Sequence, residues 1–215
     1  MEGSGAGVSE KVGEFDPLPH VADELKTIVH NETAKNEKGL FSGKRLLNRE
    51  FTRQNLTDAL KRKSQLVHFA THFVLNPGKD IDSFLLLGDG NRLSLAEMRT
   101  DKLFDLEGVD LLTLSACETA VNTTTTSGAE IESFGVIAQK RGAKTVISTL
   151  WSISDSNTAQ LMTEFYRTYQ AGNGKTSKAE ALRQAQIKLL KKGKTNPNIA
   201  HPFYWASFIV VGEWR

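Results

Sequence analysis

The chain contains one cysteine, Cys117, and it follows directly on the apolar run at residues 109–116 (VDLLTLSA). A second compact apolar run, residues 66–71, ends on His72. A free thiol with a pKa near ~8.5 is only roughly 3% thiolate at pH 7. An imidazole beside it lifts that limit, because it takes the thiol proton and later returns one to a leaving amine. A main-chain N–H near the sulfur would complete the set by holding the developing oxyanion. Each residue also has a plainer role: a lone cysteine at a strand end is most often an inert small hydrophobe, and a lone histidine there is most often structural. Composition and spacing alone leave both readings open. His68 and His72 are four apart, which on a helix would suit zinc; in a β-rich run they share one face, and no third ligand is near. No metal or other cofactor is expected, and His68 is read as a core residue or a support behind His72.

The elements that must position this pair are legible as alternating strands and helices. Val21, Leu25, Ile28 and Val29 stand at helical spacing. Residues 31–38 are polar and read as loop, and residues 44–47 as a short strand. Thr52 offers an N-cap for a helix carrying Leu56, Ala59 and Leu60, and Lys61, Arg62 and Lys63 suit its C-terminal dipole. Residues 84–87 form a further strand, ended by the turn signal Gly88-Asp89-Gly90-Asn91. Ser94 with Glu97 makes a capping box for a short helix. After a Thr/Ser-rich stretch at 121–128, Ile131, Phe134, Ile137 and Ala138 mark a helix stopping at Gly142. Residues 145–150 are a β-branched strand, Asp155 can cap the next helix, and Ser177 with Glu180 starts another that stops at Gly193. Residues 207–211 read as the last strand. Such alternation means βαβ units and a mostly parallel sheet in one α/β domain. Functional groups then belong at the carboxyl ends of strands. The span between the His72 and Cys117 strands is long enough for a crossover that sets them side by side.

Composition narrows the classes. With 215 residues the chain can bury a substantial core. One cysteine excludes an internal disulfide framework and a Cys-only zinc site. The balance of 27 basic and 25 acidic residues, net +2, gives no concentrated basic face for nucleic acid. No apolar run approaches ~18 residues, so no membrane span is expected. Residues 1–5 are neither basic nor apolar, so no secretory signal is read, and a cytoplasmic, reducing location is expected.

Five co-linear stretches resemble the CHAT family: 67–72 (VHFATH), 114–119 (LSACET), 142–151 (GAKTVISTLW), 178–186 (KAEALRQAQ) and 201–212 (HPFYWASFIVVG). The resemblance implies a caspase-like three-layer α/β sandwich, its mostly parallel sheet flanked by helices on both faces. It also implies a cysteine endopeptidase of the kind common in bacteria and often found after TPR repeats, so a TPR-type regulatory segment joins a protein or peptide substrate among the implied partners. Carried onto this chain, His72 is the base or proton carrier and Cys117 the nucleophile. The main-chain N–H groups of Phe73 and Cys117 form the oxyanion hole. The resemblance further implies a substrate pocket near Glu118, Trp151 and Asp155, where an acidic group would favour a basic P1 residue. Glu118 equally suits a solvated turn, and the simpler role of Asp155 is the helix cap.

Two departures from the family pattern are visible. Many relatives carry glycine where this chain has Phe73, whose ring would line or crowd the cleft. The first core strand should fall near residues 1–9, and the Gly-rich start of this chain reads as a poor strand. Residues 1–14 are therefore read as a flexible or truncated leading segment, and 15–215 as the domain. Both departures motivate the alternative of a latent module acting through protein–protein interaction. The loop at 123–126 is expected to be flexible. Glu130 and Glu132 are explained by a helix dipole, and His201, Pro202 and Trp205 by the approach to the last strand.

Overall fold

Strand β4 (Leu66–Ala70) stands in the middle of a seven-stranded sheet, with β8 (Leu111–Leu114) parallel on one side and β1 (Glu2–Gly7) parallel on the other. Beyond β8 come β9 (Thr145–Thr149), also parallel, and the antiparallel edge strand β10 (Phe208–Gly212). Beyond β1 come β3 (Phe41–Leu47) and the short edge strand β2 (Val29–Asn31), both parallel. This computed structural model describes residues 1–32, 38–76, 78–115, 129–151, 153–193 and 200–215, with only the backbone for 129–133.

Burial on both faces explains why β4 and β8 read as near-continuous apolar runs; β9 is buried throughout as well but carries Thr145, Ser148 and Thr149. Along β4 the side chains alternate. Val67 and Phe69 enter a core built with α2 (Arg53–Leu60), α3 (Leu95–Thr100) and α4 (Ala129–Lys140). Leu66 and Ala70 face α1 (Val21–Ile28), α5 (Asp155–Ala171) and α6 (Lys178–Lys192). Helices thus cover both faces, as expected for a three-layer α/β sandwich.

The local signals read from sequence are present at several helix ends. Thr52 Oγ1 accepts the Asn55 N–H at 3.2 Å. Ser94 and Glu97 close a reciprocal capping box. Ser177 accepts the Glu180 N–H, but the Glu180 carboxylate turns to Arg183 and Gln184 instead of back to the cap. The run at 84–87 differs from expectation. As β6 (Phe84–Leu86) it lies in a separate antiparallel sheet between β5 (Phe73–Val74) and β7 (Arg92–Ser94). That small sheet packs into the core on the α2–α4 side.

The reading of the first residues as a poor strand is corrected. Residues Glu2–Gly7 form a strand beside the middle of the sheet, paired on both sides, and Gly3, Ser4, Gly5, Ala6 and Gly7 are buried. Neighbouring strands supply the ladder that its own side chains do not favour. Its glycines mark a close approach instead. A Cβ on Gly5 would stand 3.1 Å from a Leu25 methyl, and one on Gly7 would stand 2.8 Å from Val21, both residues of α1. On the opposite face Ala6 joins the core and Ser4 shares a 2.9 Å hydrogen bond with Ser64.

Gly43 of β3 stands opposite Gly3, and a Cβ there would lie 1.7 Å from the Gly3 carbonyl oxygen. Backbone cannot retreat from such a contact as a flexible side chain can. Gly43→Ala should therefore lower unfolding free energy by at least ~3 kcal/mol in urea titrations. Gly135→Ala, where a Cβ inside α4 meets nothing within 4 Å among the described residues, should raise it by about 0.5–1 kcal/mol.

Candidate active site

His72 lies just beyond the carboxyl end of β4 and is 4% exposed. Its Nε2 stands 2.8 Å from the main-chain carbonyl oxygen of Asp16. A carbonyl only accepts, so Nε2 carries the proton, and in the neutral ring the lone pair sits on Nδ1. That Nδ1 is buried and has no hydrogen-bond partner among the described residues. A fixed tautomer with a free, inward Nδ1 lone pair is what a general base requires.

The loop that holds Asp16 is built locally. Val12 and Phe15 exchange backbone hydrogen bonds of 3.3 and 3.0 Å across a tight turn, and Gly13 supplies the φ of +56° that such turns demand. The Phe15 ring then packs against the imidazole with centroids 5.2 Å apart. Asp16 was not legible as a site residue, because its contribution is a carbonyl that every residue carries.

Phe73 follows in β5 with a negative φ. The Leu86 N–H donates to the His72 carbonyl at 2.9 Å, which makes 72 and 86 a hydrogen-bonded pair. Antiparallel pairs alternate, so Phe73, opposite Leu85, is in a non-bonded pair and its N–H turns away from β6. The expectation that its ring lines the cleft is corrected: the side chain is buried and meets Phe134 of α4 edge-on at 5.8 Å. A core pocket therefore takes up the ring.

Behind the strand ends runs a buried polar chain. Glu24 of α1 accepts from His68 Nε2 at 2.9 Å and from the Ser115 hydroxyl at 2.8 Å, both on the same carboxylate oxygen. His68 Nδ1 is 3.1 Å from the Tyr166 hydroxyl of α5, which donates to Thr113 of β8 at 2.7 Å. All five side chains are buried. Burial pushes the Tyr166 phenol far up, so it remains a neutral donor. Sequence reasoning placed His68 in this supporting position but passed over Glu24. The signal was there: Glu24 sits between Val21, Leu25 and Ile28 on the buried stripe of its helix, where a charge needs a reason.

Of the three residues expected at a substrate pocket, Trp151 and Asp155 are described. The Trp151 indole donates to the Phe203 carbonyl at 2.9 Å and stacks on that ring. Asp155 is not the helix cap, which is Ser154; it is the first residue of α5. Its carboxylate accepts the His20 N–H at 2.7 Å and so ties the start of α1 to that of α5. Cys117, Glu118 and the loop at 123–126 lie outside the described residues. Among the described residues no helix is long and apolar enough to cross a membrane.

The sequence model of the CHAT domain matches residues 6–213. No curated protein matches the chain significantly. Among solved structures, the chain is similar to the Arg-specific cysteine proteinase gingipain R (RgpB), with a TM-score of 0.60 and 10% identity over 99% of this chain and 46% of that one. It is likewise similar to the complex of the Porphyromonas gingivalis RgpB pro- and mature domains, with TM-score 0.59 and 11% identity over 99% of this chain and 47% of that one. The chain spans about half the length of these proteinase chains, and the likeness is one of fold: a caspase-like α/β sandwich.

Half-burial holds the Asp155 carboxyl above the usual carboxylate range, opposed by the hydrogen bond it accepts from the His20 N–H. A group with a raised folded-state pKa stabilises the fold most fully below its unfolded value of 3.8, and that contribution is lost as pH rises through the folded value. Asp155→Asn keeps an acceptor for His20 without the charge. Its urea midpoint should match the native protein at about pH 3 and exceed it modestly by about pH 6; a variant weaker throughout would show that the charge itself is needed.

Proposed function

The chain belongs to the CHAT domain family, and from that premise we propose that it is a cysteine endopeptidase with Cys117 as nucleophile and His72 as its base. The observation that carries this reading is the His72 tautomer, set by the Asp16 carbonyl with Nδ1 unpartnered among the described residues. Strand register supports it. Phe69 pairs with Leu114, and the ladder continues as Ser115 N–H donates to the Phe69 carbonyl at 2.7 Å. His72 and Cys117 each follow that pair by three positions.

In the proposed reaction the thiol proton passes to His72 Nδ1, and the thiolate adds to the scissile carbonyl. The oxyanion accepts hydrogen bonds from the main-chain N–H groups of Phe73 and Cys117. Collapse breaks the C–N bond, and the imidazolium gives its proton to the departing amine. Water, deprotonated by the same nitrogen, then hydrolyses the thioester and restores the thiol.

The alternative of a latent module drew on a missing first strand and an obstructing Phe73 ring. The strand is present and the ring lies in the core, so nothing observed favours that reading.

Cys117→Ala should abolish cleavage of a peptide library read by mass spectrometry, together with labelling by thiol-directed peptide electrophiles. His72→Ala should lower kcat by about 10²–10⁴-fold while the variant remains folded. Cleavage at the native rate by Cys117→Ala would end the assignment.

A further inference from the structure

A cavity of about 540 Å³ opens beside His72. Its inner wall is apolar, formed by Phe15, Val74 and Phe84. The mouth carries the exposed carboxylates of Glu14, Asp16 and Asp82 and one cation, Arg92. Arg92 is already engaged: its guanidinium lies 4.3 Å over the Phe84 ring and 3.7 Å from Glu14. That leaves Asp16 and Asp82 as the carboxylates of the mouth with no ion pair among the described residues.

We infer that this cavity receives the amine-side segment of a peptide substrate, and that it selects a lysine or arginine side chain there. The assignment deepens the peptidase reading and rests on it. Asp16 both lines the cavity and holds His72 Nε2 through its carbonyl, so the cavity lies on the Nε2 flank of the ring. The reactive nitrogen Nδ1 is on the other flank. The imidazolium must protonate the departing amine, so the chain that begins with that amine crosses the ring and continues over β5 and β6, where Val74 and Phe84 stand. A long aliphatic stem against Phe15 and Phe84, ending in a cation at the carboxylate mouth, matches the lining in both shape and charge. An acidic side chain would meet two unpaired carboxylates and an arginine already in use.

Binding tests this apart from turnover. Short peptide amides carrying lysine, alanine or glutamate at their first position stand in for the departing segment, titrated by calorimetry into the Cys117→Ala protein. The lysine peptide should bind roughly fivefold tighter than the alanine peptide, the upper range for exposed ion pairs. Asp82→Lys in the same background should invert the order of lysine and glutamate. In the active protein, the cleavage ratio of substrates differing only at the residue after the scissile bond should follow the same order. Equal binding of the three peptides, tighter binding of glutamate, or an order that Asp82→Lys leaves unmoved overturns the inference. Lysine-selective binding without any cleavage or thiol labelling keeps the cavity assignment and removes the peptidase reading instead.

Discussion

Helix α1 can rest on the sheet only because β1 offers no side chains on that face. Gly5 and Gly7 lie where a Cβ would press on Leu25 and Val21, and sheets flanked by ordinary residues hold their helices farther away. The close seat has two consequences at the carboxyl edge. Glu24 on α1 descends far enough to reach His68 and Ser115. The loop leading from β1 into α1 passes over β4 low enough for the Asp16 carbonyl to hold His72. A strand without side chains on that face thus sets the depth at which the His72 imidazole is gripped.

The buried chain from Ser115 through Glu24 and His68 to Tyr166 and Thr113 joins α1, α5, β4 and β8. Taking a carboxylate out of water is costly, and its hydrogen bonds offset that cost only while all are in place. Truncating any one member strands the others, which gives the arrangement a single low-energy geometry. Two of its members lie close in sequence to the proposed dyad: His68 is four residues before His72, and Ser115 is two before Cys117. Rigidity at the strand ends follows from polar groups that have nowhere else to go.

Much of this was readable from residue types. Helix caps at Thr52, Ser94 and Ser177 are local chemistry, satisfied within three or four residues, and each is present. The runs at β4 and β8 announce strands buried on both faces because no polar alternation interrupts them, and β9 is announced by its β-branched residues. What escaped was non-local. The sequence EGSGAG has no strand propensity of its own and becomes a strand because β3 and β4 bracket it. The run at 84–87 looks like any core strand, and nothing local assigns it to the second sheet. Asp155 carries a capping residue's chemistry, yet spends it on a helix start far away in sequence, at His20. The grip on His72 is a carbonyl, for which no residue type is a signal.

That grip also suits the thiol nucleophile proposed for this chain. A serine hydroxyl is so weakly acidic that its histidine needs a buried carboxylate to stabilise the imidazolium it becomes. A thiol at ~8.5 and an imidazole at ~6.5 differ by only about two units, so the proton moves between them at little cost. A neutral carbonyl is then sufficient: it fixes which nitrogen bears hydrogen and holds the ring without adding a charge that would hold the imidazolium back from giving up its proton. In the proposed cycle the same imidazolium releases that proton to a departing amine one step later, and an orienting group that binds it weakly serves both halves.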